Sequence, residues 1–164
     1  MGQGGKMQTF FPFQNVNKTV QCLDNRRLGK QRVEAIQILN ILLGYSTSSS
    51  WVNHPAVKMW RSYEPYLVKV YLRKIMDEWI KRGYKNEKCE KHWMKFILHE
   101  KIRGKNSIKP SWINNDFCKS HKSNLVRKLP EHYKKFFPEV SDNLEYIWPI
   151  GGKNGKKETK GERK

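Results

Sequence analysis

From Leu67 to Ile80 the apolar residues Leu67, Val68, Tyr71, Leu72, Ile75, Met76, Trp79 and Ile80 form two parallel rows, each with a four-residue repeat. A strand turns alternate side chains to opposite faces, so only a helix can bury such a stripe as one surface. Pro65 suits the first turn of that helix, and Gly83 a position just past its end. The same period predicts a helix from about Thr19 to Leu43, carried by Val20, Leu23, Leu28, Val33, Ile36, Leu39 and Leu43, with Thr19 as its cap and Gly44 as its stop. Gly29 inside it costs about 1 kcal/mol relative to Ala. It marks either a close backbone approach or a break between two shorter helices.

A third helix is expected from about Glu87 to Ile102 through Trp93, Phe96 and Ile97, ended by Gly104. Asn114 or Asn115 caps another through Phe117, Leu125 and Val126, and Pro130 opens a short one carrying Tyr133, Phe136 and Phe137. The Ser-rich run at 46–50 reads as a loop, and alternation is confined to Thr9–Phe13. The expected fold is therefore all-α: a single compact multi-helix domain over residues 7–150. A flexible N-terminal extension (1–6), a short extended segment and a disordered basic tail (151–164) complete it.

Lys and Arg number 33 against 15 Asp and Glu, a formal charge of +18. Six basic and two acidic residues fall after Ile150, so +14 belongs to residues 1–150. A field of this sign attracts polyanions, and nucleic acid is the first candidate because each neutralised phosphate releases counterions. No long apolar run supports a membrane association, and the first six residues carry no secretory signal. Three cysteines, Cys22, Cys89 and Cys118, cannot all pair within one chain, which fits reduced thiols and an intracellular protein. A monomer without obligate protein partner, cofactor or metal is expected. Cys89 with His92 and Cys118 with His121 supply enough ligands in number for zinc, but lack the usual Cys-x-x-Cys spacing.

Chemistry concentrates in the run Leu23 to Ile36. Arg26, Lys30 and Val33 share one helical face, Arg27 and Glu34 lie two turns apart on another, and Arg32 adds a further cation. A carboxylate among cations stays ionised, and beside DNA it can stabilise charge at a sugar, orient a water or move a proton. The alternative is a surface residue balancing its basic neighbours. Asn53 and His54 stand at a loop-to-helix junction, where they either contact a phosphate or base or simply cap the helix. Lys119, His121, Lys122, Asn124, Arg127 and Lys128 mix basic, amide and imidazole groups on one short helix, a composition suited to phosphates or to a solvated basic face. Trp51, Trp60, Trp79 and Trp93 fall on apolar stripes. Trp112 and Trp148 lie in Pro-flanked loops, where either can wedge into an opened base pair.

Residues 7 to about 149 resemble bacterial and phage proteins placed with the pyrimidine-dimer DNA glycosylases (endonuclease V). The likeness runs through Met7-Gln8-Thr9-Phe10, Leu23-Asp24 to Glu34, Asn53-His54-Pro55, Met59-Trp60, Glu78-Trp79, Arg82-Gly83-Tyr84, Ser120-His121-Lys122-Ser123-Asn124-Leu125 and Tyr146-Ile147-Trp148-Pro149. The resemblance implies a DNA glycosylase, with or without strand-cleaving lyase activity, acting on duplex DNA through an essential Glu at position 34 and an N-terminal amine. An α-amine has a pKa near ~8 and attacks a sugar carbon far more readily than an ordinary Lys. That amine is either on Gly2 or on Met7; without one, Glu34 or Asp24 would activate water. A non-catalytic DNA- or RNA-binding module and, less well supported, a metal-dependent nuclease are the competing readings.

Overall fold

A computed structural model describes residues 7–47 and 49–149. The expectations for 1–6 and 151–164 lie outside the described residues. Among the described residues the chain is helical and has no strand. Its elements are α1 (Val16–Cys22), α2 (Asn25–Leu42), α3 (Ser49–Val52), α4 (Pro55–Lys58), α5 (Glu64–Tyr66), α6 (Arg73–Lys81), α7 (Glu87–Ile97), α8 (Asn115–Lys128) and α9 (Pro130–Tyr133).

The long apolar stripe forms the central helix. It is continuous from Glu64 to Lys81, but between α5 and α6 it widens into a π-helical segment, Leu67–Leu72. Leu67, Val68, Tyr71, Leu72, Ile75 and Met76 are wholly buried along it. α2 packs against this helix and against α4 and α7, while α9 packs on α8.

Helix ends follow local chemistry more closely than the apolar pattern does. The expected Thr19–Leu43 helix divides at Leu23–Asp24 rather than at Gly29, because Asn15 caps α1 and Asp24 caps α2 through their side chains. Thr19, expected as a cap, instead turns its hydroxyl to Phe13, accepting from Phe13 N (3.1 Å) and donating to Phe13 O (2.8 Å). Gly29 sits inside α2, where an added Cβ would lie 2.9 Å from the Trp79 ring, so close approach is its role. Asn114 caps α8, and Pro55, Pro65 and Pro130 occupy first turns as expected. α7 ends at Ile97, five residues early, and turns carry the chain to Gly104, whose φ is +72°.

The N-terminal segment explains why the core contains polar groups. Residues 7–12 are extended and buried, with no neighbouring strand to take their backbone N–H groups. A buried N–H without a partner costs about as much as a lost hydrogen bond. Side chains from the helices therefore replace the missing ladder. Glu34 accepts from Gln8 N (3.4 Å), Gln31 from Phe10 N (2.9 Å), His121 Nδ1 from Phe11 N (2.9 Å) and Thr19 from Phe13 N (3.1 Å). The Trp60 indole adds a bond to Thr9 Oγ1 at 3.0 Å.

Candidate active site

Glu34 lies in the middle of α2, where the extended segment crosses it. Its side chain keeps 13% of its exposure, so it is neither locked inside nor free in solvent. Oε1 accepts from Gln8 N at 3.4 Å and from Gln31 Nε2 at 3.1 Å, and Oε2 lies 3.8 Å from Lys30 Nζ. Burial raises the Glu34 pKa above the usual carboxylate range, against the opposing pull of Lys30, the Gln8 and Gln31 bonds, and Lys128 on α8. The expectation that neighbouring cations decide its ionisation is thus reversed: desolvation is the larger effect.

The rest of the wall comes from residues 142–148. Ser123 Oγ accepts from Leu144 N (2.9 Å), Ser120 Oγ from Ile147 N (3.3 Å), and Arg127 donates to the carbonyls of Asp142 and Leu144. These bonds hold Tyr146 against Phe10 and His121, with its buried hydroxyl in the field of Glu34. From Tyr146 an aromatic row continues through Trp148 (5.7 Å between centroids) and His54 (5.9 Å) to Trp51 (5.2 Å).

Several residues expected at DNA turn elsewhere. His121 and Asn124 are buried: His121 serves Phe11 N, and Asn124 bonds Ser120 O and Arg127. Burial holds the His121 imidazole down at about 3, so it is neutral and no phosphate contact. Its helix is polar on the inside because it clamps Phe11 on one side and Leu144 and Ile147 on the other. Arg32 faces away from Glu34, bonding Asn86 (2.7 Å) and Cys89 (3.3 Å) and stacking on Trp79. Arg27 is tied to Asp24 at 3.3 Å.

Asp24 itself caps α2 and bonds the Tyr133 hydroxyl, and these partners hold its carboxyl below the ordinary range despite burial. Ten residues of helix set it about 15 Å from Glu34. His54 caps α4, its Nδ1 accepting from Ala56 N at 3.0 Å, while Asn53 is exposed. Arg26 and Lys30 are exposed one turn apart on the Glu34 side.

Lys119 and Lys122 line a separate cleft of about 450 Å³ with Lys18, Asn115 and Phe13. A second groove of about 530 Å³ lies between α2 and α7, lined by Val33, Ile36, Asn40 and His92; Glu34 lines neither. Among the described residues no three His, Cys, Asp or Glu side chains gather as metal ligands, and Cys89–His92 and Cys118–His121 do not converge. Gly2 lies outside the described residues. Trp60 is fully buried, and Trp112 packs edge-on against it at 5.0 Å instead of standing clear as a wedge.

Gln8 and Tyr146 enter from sequence only within the motifs of the resemblance, and Tyr71 only as part of the apolar stripe, none of them with a role at the site. Gln31 is not among the candidates, although a polar residue one turn before Glu34 on the same face is a signal.

The family model described as pyrimidine dimer DNA glycosylase matches residues 7–91, just over half of the 164 residues. Neither the curated proteins nor the solved structures contain a match to the chain. No described helix is long and apolar enough to cross a membrane.

Proposed function

The chain belongs to the pyrimidine dimer DNA glycosylase family, a family of DNA-repair glycosylases, and on that premise we propose that Glu34 is its reacting carboxylate and a pyrimidine dimer in duplex DNA its substrate. The observation that carries this reading is the meeting of Glu34 with the backbone of Gln8 at 3.4 Å, beside Lys30. Base release requires attack at C1′ of the deoxyribose while the base departs and positive charge grows on the sugar. A partly desolvated carboxylate opposes that charge more strongly than one in bulk water.

Were the chain cut before Met7, its freed α-amine, one residue before the Gln8 contact, would stand next to Glu34; attack at C1′ displaces the base, and opening of the C1′–O4′ bond with loss of the amine proton leaves an imine. Strand cleavage as a lyase follows from that imine. Water held by Glu34 gives the glycosylase step alone. Arg26, Lys30 and Lys128 supply cations for flanking phosphates, joined by His54 in the aromatic row and its exposed neighbour Asn53.

The test uses the full chain on a duplex carrying a single thymine dimer. Dimer-base release insensitive to EDTA is expected, falling at least a thousandfold in Glu34→Gln with duplex affinity retained. Borohydride trapping on abasic DNA, followed by mass analysis of the adducted peptide, identifies the amine. Base release at the parent rate in Glu34→Gln would remove Glu34 from the reacting role, and a parent that releases no base would be a polyanion binder.

A further inference from the structure

Gln31 is 1% exposed, and every hydrogen-bonding capacity of its amide is used at the proposed site. Oε1 accepts from Phe10 N at 2.9 Å and from the Tyr71 hydroxyl. Nε2 donates to Gln8 O at 3.1 Å and to Glu34 Oε1 at 3.1 Å. Phe10 N can only donate and Gln8 O can only accept, so the amide has one permitted orientation. Turned over, it would oppose donor to donor on one side and acceptor to acceptor on the other.

Resting on the reading of Glu34 as the reacting carboxylate, we propose that Gln31 is the positioning residue of the site, an amide of fixed polarity whose N–H holds Glu34 ionised and aimed at the backbone of Gln8. Its oxygen end is set by Tyr71, which lies in the π-helical segment, a departure from α geometry that recurs at functional positions. The Tyr71 proton is shared with Phe10 O at 2.9 Å, so one hydroxyl registers both the amide and the extended segment.

The groups around Glu34 leave this task to Gln31. Lys30 on its own helix and Lys128 on α8 act through charge, and the 64% exposure of Lys30 leaves its contact screened by solvent. Tyr71 and Tyr146 face Glu34 with hydroxyls that burial keeps protonated. Of the two N–H groups on the carboxylate, that of Gln8 is the longer contact at 3.4 Å, and Gln31 fixes it in turn through Gln8 O.

The variant Gln31→Glu preserves shape and the bonds from Phe10 N and Tyr71. It replaces the donating N–H by an oxygen facing Glu34, so the two carboxyls must hold a proton between them. Following the Glu34 carboxyl by carbon NMR in the full chain, the expected result is a titration midpoint at least one pH unit above the parent. The acid limb of base release should move by the same amount, with KM for the dimer duplex within about twofold. Tyr71→Phe, which removes only the hydroxyl, should raise the midpoint less and lower kcat three- to tenfold. An unmoved Glu34 midpoint in Gln31→Glu would overturn the proposal. If that variant does not fold, an unmoved midpoint in Tyr71→Phe does so. A parent that releases no base counts against the reading of Glu34, whereas the titration judges Gln31 by itself.

Discussion

At Glu34 burial outweighs the attraction of Lys30 and Lys128, so the ionised form is held at some expense to the fold. A carboxyl raised in the folded state withholds stability as pH rises through its folded pKa. The loss vanishes below the ordinary carboxylate range, where both states are protonated. Glu34→Gln keeps an oxygen for Gln8 N and Gln31 Nε2 and removes the desolvated charge. The variant should therefore melt a few degrees above the parent at pH 7 and together with it near pH ~3, while losing base release. Each 1 kcal/mol relieved corresponds to roughly 2–4 °C at this chain length, within reach of calorimetry. A variant melting at or below the parent at pH 7 would mean that the carboxylate is a net stabiliser and carries no functional strain.

Among helices, contact geometry decides what propensity cannot. Trp79 is pinned on both ring faces, by Tyr84 at 4.2 Å and Arg32 at 4.3 Å, and its indole N–H donates to Lys85 O at 3.0 Å. Gly29→Ala gains about 1 kcal/mol of helix propensity, but its methyl meets an indole that cannot retreat, an overpacking that costs about 1–3 kcal/mol. A net fall in Tm of a few degrees is expected in thermal unfolding, and a rise would show that α2 and α6 can separate. The apolar periods gave the helices and the prolines their first turns, because both are local. The division of α1 from α2 at Leu23–Asp24 depends on Asp24 finding Arg27 N and Tyr133 across the fold. Glu34 was legible from its place among Arg and Lys. Gln31 and His121 were not, since their purpose is to stand in for a strand absent beside residues 8–13, and nothing local records that absence. For the same reason the Ser120–Asn124 run reads as a phosphate grip in sequence and is a clamp on Phe11, Leu144 and Ile147 in the fold.

Over the whole molecule the charge of +18 makes some attraction to DNA unavoidable, so affinity alone cannot identify a binding face. Position can. Lys128 lies in the field of Glu34, whereas Lys91 is on α7, which joins α2 on the Arg32 side, about 160° around the helix from Glu34. A diffuse field would make the two lysines equivalent. A face built around Glu34 would have Lys128 neutralise a phosphate and release its counterions, contributing about 0.9 to the slope of log K against log salt. Fluorescence anisotropy with a duplex containing one thymine dimer, titrated from low to moderate salt, separates the cases. Lys128→Ala should lower the slope by nearly one, and Lys91→Ala should weaken binding slightly at low salt with the slope unchanged. Lys119→Ala with Lys122→Ala asks whether the separate cleft also touches the duplex, through a slope reduced by nearly two. Equal slopes for Lys128→Ala and Lys91→Ala would place DNA attraction in the net charge and remove Lys128 from the proposed face.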